Sequence, residues 1–207
     1  MISPIQKVST LLFGVAVLVT GHGIQLAFVP IRAELMGWSS VSIGVLGSVY
    51  FTGFLAGCFA APVLVGSIGH IRTFATLTAL MTAVVLSLVL FDNFYFWMIL
   101  RFLTGFAISG LYLVIESWLN EQTEDGARGS VLGAYTVIVL SALALGQLLL
   151  NFSVIGDNRL VIFASILVCL AAIPICITRT VQPAQIPTAI FSPFLVLKTS
   201  KAAVVVH

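Results

Sequence analysis

The chain is poor in charge. Only 8% of its 207 residues are Asp, Glu, Lys or Arg, against roughly 25% in an ordinary soluble domain. With 60% hydrophobic residues besides, the composition is that of an integral membrane protein. Cysteine is scarce as well. Cys58, Cys169 and Cys176 lie inside apolar runs and form no C-x-x-C or Cys/His spacing. That argues against a disulfide framework or a metal centre and suits small buried apolar side chains. No G-x-S-x-G, H-E-x-x-H or phosphate loop occurs, so neither an enzyme nor a cofactor site is expected. A net charge of +2 gives no ground for a nucleic-acid partner.

What the chain does have is long apolar runs. A helix needs roughly 20 apolar residues to cross a bilayer. Six segments qualify: Leu11 to Val29, Val41 to Val65, Phe74 to Phe91, Phe94 to Leu119, Val131 to Phe152 and Leu160 to Thr178. Lys7 followed by LLFGVAVLV has the charge and core of a signal peptide. No A-x-A-like site follows, and further apolar segments do, so it reads as the first membrane helix. The runs lack strict alternation, which favours helices over a barrel. The organisation read from this is a six-helix bundle over residues 1–180. The segment 181–207, with Pro183, Pro187 and Pro193, reads as a cytoplasmic loop leading to a possible seventh helix at LVLKTSKAAVVVH. Lys7, Arg72, Arg128, Arg179, Lys198 and Lys201 would lie on one side and Arg32 and Arg159 on the other. Six against two predicts both termini on the cytoplasmic side.

Glycines at small-xxx-small spacing, Gly53 with Gly57 in the second segment and Gly129 with Gly133 in the fifth, predict close helix packing. The polar residues are more selective. The fourth segment carries Arg101 and Glu116. At 100° per residue, Arg101, Gly105, Ile108, Tyr112 and Glu116 share a stripe about 80° wide. The two charges stand about 22 Å apart along the axis and cannot pair. An ionised group at mid-bilayer costs roughly 2.5–3.5 kcal/mol, so the stripe is expected to face a cavity; snorkelling of Arg101 and boundary capping by Glu116 is the other reading. In the first segment His22 and Gln25 share a face, as packing residues or as a solute contact or proton carrier, since imidazole titrates near neutrality. Gln147 in the fifth segment is open to an interhelical hydrogen bond. Polar residues thus gather in segments one, four and, more weakly, five. Two three-helix repeats whose first members line a shared path would give that pattern.

Several stretches, taken as an ensemble, resemble the N-terminal six-helix half of the major facilitator superfamily, and within it the YcaD-type bacterial carriers. They are SIGVLGSVYFTGFLAGC, VGSIGHIRTFA, RFLTGF, YLVIESWLNEQT, RGSVLGAY and ALGQLLL. Leu64 and Gly69, with His70 and Arg72 following, occupy the family's conformational loop G-x-L-x-D-R-x-G-R-R. Pro62, Gly66 and Ser67 stand where glycine, aspartate and arginine are common. Arg101 and Gly105 match the fourth-helix R-x-x-x-G element that the family links to proton coupling. The fifth segment lacks the Gly-Pro signature of drug antiporters. The resemblance implies an all-α membrane protein built as two inverted three-helix repeats, in a bacterial inner membrane. It implies proton-coupled secondary transport of a small solute, with the path between two halves, so that a C-terminal half or a second copy is needed. The substrate or proton path would take His22, Gln25, Tyr50, Arg101, Tyr112, Glu116 and Gln147. The other class of function is an assembly subunit or a remnant of a longer gene, without transport of its own.

Overall fold

The structure, a computed structural model, describes residues 8–152 and 158–177. The segment 181–207 and its suggested seventh helix lie outside the described residues, as do Lys7, Arg179, Lys198 and Lys201 of the charge count. Six membrane-length helices carry the described chain: α1 (Ser9–Leu35), α2 (Ser40–Ile68), α3 (His70–Ser87), α4 (Phe94–Gln122), α5 (Arg128–Leu149) and α6 (Arg159–Ile177). Short 3₁₀ turns at Asp125–Ala127 and Leu150–Phe152 flank α5. There is no strand among the described residues.

The helix ends follow local chemistry. Gly37 (φ +75°) closes α1: its N–H donates to Glu34 O at 2.9 Å, and the Trp38 N–H donates to Ala33 O at 3.1 Å. This pair of bonds satisfies the last carbonyls of α1 in a Schellman motif. Ser39 Oγ then accepts from Ser42 N at 3.1 Å and starts α2, while Asn93 Oδ1 accepts from Phe96 N at 3.1 Å and starts α4. Such side-chain caps satisfy amides that a helix start leaves open. Only Gly69 separates α2 from α3. Its φ of +84° and ψ of 167° lie in a region essentially reserved for glycine.

The third helix differs from its apolar run. The run spans Phe74 to Phe91, whereas α3 occupies His70–Ser87. Polar His70, Arg72 and Thr73 hide the true start from a hydropathy reading, yet Thr73 donates its N–H and its hydroxyl to Gly69 O. At the other end the chain turns at 88–90, and the Phe91 carbonyl accepts from Trp97 Nε1 at 2.9 Å instead of continuing the helix.

The packing repeats itself. α1 packs on α5 and α6, α4 packs on α2 and α3, and α3 meets α6. Exchanging the first triplet for the second, α1 for α4, α2 for α5 and α3 for α6, maps this pattern onto itself. Three helices form an odd number, so the second triplet enters from the opposite side of a membrane; the two repeats are necessarily inverted. α1 and α4 are the central, mostly buried pair, whereas α2 and α5 present most of their surface outward. Outward side chains such as Phe13, Phe51, Leu55, Leu145 and Leu170 are apolar and exposed, which suits hydrocarbon and not water.

Glycines set the two equivalent crossings. A Cβ on Gly53 would overlap the Phe102 carbonyl, and one on Gly105 the Tyr50 carbonyl, across α2 and α4. Across α1 and α5 a Cβ on Gly146 would overlap the Thr20 carbonyl, and one on Gly23 would come within 2.6 Å of Leu143 O. Gly57 likewise sits against Phe106 and Ser109. Gly129 and Gly133 depart from the packing expectation: a Cβ at either would meet nothing within 4 Å. They lie on the outward face of α5, so among the described residues no helix approaches them.

Candidate functional site

A polar cluster sits inside the bundle where α1, α2 and α4 meet. Arg101, on α4, is only 4% exposed. Its guanidinium carbon lies 4.4 Å from the centroid of the Tyr50 ring of α2, a cation–π contact. On α1, His22 stacks on Tyr50 with centroids 6.1 Å apart and ring planes 18° apart. His22 Nε2 and Tyr50 Oη share a hydrogen bond of 3.2 Å. The Tyr50 ring thus contacts a cation from one repeat and an imidazole from the other.

Gln25 and Thr104 extend the cluster by one turn on each helix. Thr104 donates its hydroxyl to Leu100 O at 2.8 Å, so toward Gln25 its oxygen acts as an acceptor. Gln25 Nε2 donates to it at 3.0 Å. This fixes the amide orientation, with Gln25 Oε1 on the side away from Thr104. Gln25 and Thr104 have no exposed surface.

The cluster is incompletely satisfied. Arg101 Nε and Nη1, His22 Nδ1 and Gln25 Oε1 are buried atoms without a hydrogen-bond partner. No carboxylate pairs with Arg101 among the described residues; Asp92 pairs instead with Arg32 at 3.4 Å, at the end of α1. By helix rise, Arg101, Tyr50 and His22 lie about 10, 15 and 20 Å from the end that carries the α1–α2 and α3–α4 turns. Helices of 27 to 29 residues exceed a hydrocarbon layer of about 30 Å, and the cluster falls within that layer. Buried polar groups normally find partners, and here four atoms on three adjacent side chains lack one.

The remaining expected residues fall elsewhere. The fourth-helix stripe does not act as one face. Gly105 is pressed against α2 and Ile108 is fully buried, whereas Tyr112 is half-buried and Glu116 exposed. Glu116 Oε1 accepts from Tyr135 Oη of α5 at 3.2 Å, which ties α4 to α5 toward the α4–α5 turn. Gln147 is exposed on α5 and is not part of the cluster. Of the loop residues, Gly69 forms the helix break and Arg72 is exposed on α3. Leu64 is half-buried in the last turns of α2. His70 is not in a loop. It is the first residue of α3, buried, with Nε2 3.0 Å from Ser117 Oγ of α4 and its ring beside Trp118. The residue that sequence reasoning missed is Thr104. Its signal was available: it stands three positions after Arg101, as Gln25 stands three after His22.

Similarity to known proteins agrees with this architecture. Residues 11–204 match the model of the Major Facilitator Superfamily. Two of the most similar relatives are proteins described as uncharacterized MFS-type transporter YcaD. That of Escherichia coli O9:H4 (strain HS) is 30% identical over 146 residues, which is 70% of this chain and 38% of the relative. That of Salmonella arizonae (strain ATCC BAA-731 / CDC346-86 / RSK2980) is 30% identical over 149 residues, with the same coverage. The chain therefore spans well under half the length of the relatives it matches. With six membrane-length helices arranged as two inverted triplets and a family match over residues 11–204, the chain is an integral membrane protein that belongs to the Major Facilitator Superfamily.

Proposed function

We propose that this six-helix bundle is one half of a secondary carrier for a small solute, and that the Arg101–Tyr50–His22 cluster with Gln25 and Thr104 lies on the solute path. The observation that carries the reading is the set of orphaned buried polar atoms at membrane depth, shared by α1 and α4, the equivalent helices of the two repeats. A polar site in hydrocarbon is costly and is retained where solute or water must pass. The relatives, named as transporters, support the reading at family level. A second six-helix bundle, from a longer gene product or a second copy, covers the polar face; the bundle sits in a bacterial inner membrane with both termini cytoplasmic. The solute moves with a proton, for which His22 and its bond to Tyr50 supply the exchangeable group.

Thiol labelling tests this. In a background without Cys58, Cys169 and Cys176, an aqueous methanethiosulfonate reagent is expected to modify Tyr112→Cys, at a half-buried position of α4, but not Leu170→Cys, which faces outward among apolar side chains. A membrane-impermeant version added from outside is expected to modify Gly37→Cys and spare Gly126→Cys. Silence at Tyr112→Cys would reject the path. The reverse pattern at Gly37 and Gly126 would reject the orientation.

A further inference from the structure

We infer that the solute bound by this cluster is a small organic anion, a carboxylate that also carries a hydrogen-bond donor close to its charge. The inference rests on the cluster being a solute site and goes beyond it by naming the chemistry. Arg101 brings a permanent positive charge to a position 4% exposed, and no carboxylate among the described residues pairs with it. Glu116, on the same helix, is about 22 Å further along and out of reach; its bond is to Tyr135. The Tyr50 ring gives the guanidinium a face contact but accepts none of its in-plane N–H groups. Nε and Nη1 remain as donors. In-plane guanidinium donors suit a carboxylate better than any neutral acceptor, because a charge-assisted bond is roughly twice as strong.

The rest of the cluster narrows the choice. Gln25 Oε1 is a buried acceptor with no hydrogen bond of good geometry; the Thr104 bond holds it in that orientation, and its side chain interacts with His22 one turn away on α1. A simple carboxylate would leave it with that contact alone. A hydroxyl or amino group next to the carboxylate would satisfy it. His22 Nδ1, also orphaned, adds a donor when Tyr50 donates to Nε2, and that is the tautomer an anion selects.

Lactate, lactamide and propionate separate the terms, since lactamide lacks the charge and propionate lacks the hydroxyl. Binding to the purified full chain in detergent is read by thermal shift and by tryptophan fluorescence at matched ionic strength. Lactate is expected to bind about tenfold more tightly than either analogue. Arg101→Gln should abolish the preference for lactate over lactamide, and Arg101→Lys should keep part of it. Gln25→Leu should abolish the preference for lactate over propionate and leave that over lactamide intact. Equal binding of lactate and lactamide, still weakened by Gln25→Leu, overturns the anion while the solute site stands. Lactate binding that both Arg101→Lys and Gln25→Leu leave unchanged overturns the site itself. If lactate fails to bind, the anion inference is overturned, as it would be if a carboxylate from a facing bundle occupied Arg101.

Discussion

At the residue scale, Tyr50 holds the cluster together in two separable ways. Its ring face stabilises Arg101 and its hydroxyl bonds His22. A desolvated cation–π contact is worth about 2 kcal/mol, and a neutral hydrogen bond about 1 kcal/mol. Tyr50→Phe should therefore cost about 1 kcal/mol, and Tyr50→Leu about 3 kcal/mol by summing both terms, measured by thermal unfolding in detergent. Equal losses would show that the ring face contributes nothing. The sequence showed the charged and polar members of this site but not their meeting. Arg101, His22 and Gln25 stand out because a polar residue in an apolar run is conspicuous. Tyr50 enters only through the family resemblance, since by composition a tyrosine in such a run reads equally well as packing. The partners are 28 and 79 residues apart in the chain, and helical periodicity relates only residues on one helix. The same limit explains Glu116: its position on the Arg101 stripe is correct by angle, but the neighbours that divide the stripe, α2 at Gly105 and α5 at Tyr135, are properties of the packing.

At the element scale, small residues decide which helices touch. In membranes close backbone approach and van der Waals contact replace the hydrophobic effect between helices. α2 meets α4 through Gly53, Gly57 and Gly105, and α5 meets α1 through Leu143 and Gly146 against Gly23 and Thr20. Gly53 and Gly57 were legible from spacing. Gly129 and Gly133 have the same spacing yet face open space, while Ala142 and Gly146, also four apart, are the buried pair. Spacing identifies a close-packing face without saying which partner uses it, and an apolar helix rich in small residues carries several such faces. Gly146→Ala forces a Cβ into the Thr20 carbonyl of a rigid backbone and should cost about 1–3 kcal/mol, the usual toll of overpacking. Gly133→Ala should be neutral to within about 0.5 kcal/mol, or slightly stabilising because alanine suits a helix interior better. Thermal unfolding of the two variants side by side checks the assignment; comparable losses would contradict the α1–α5 crossing.

At the scale of the whole molecule, six spans were readable because lipid thickness fixes the length of an apolar run, and this constraint is independent of tertiary packing. The inverted repeat was legible only as a hint, since its signature is the pairing of α1 with α5 and of α4 with α2. The repeat has a consequence for coupling. His22 belongs to the first triplet and Arg101 to the second, with the Tyr50 ring in contact with both. A bound anion and a proton on His22 attract each other across this stack, so each favours binding of the other, and the effect is reciprocal. His22 is buried beside the Arg101 charge, so adding lactate to the unbuffered protein at mildly acidic pH should withdraw protons from solution, recorded with a pH-sensitive dye. His22→Gln should bind lactate without that uptake, and Arg101→Gln should lose both. If lactate binds and no proton follows, the solute path stands but the coupling through His22 does not. If His22→Gln takes up protons as the unmodified protein does, the exchangeable group lies elsewhere, and the Glu116–Tyr135 contact toward the α4–α5 turn becomes the next place to measure.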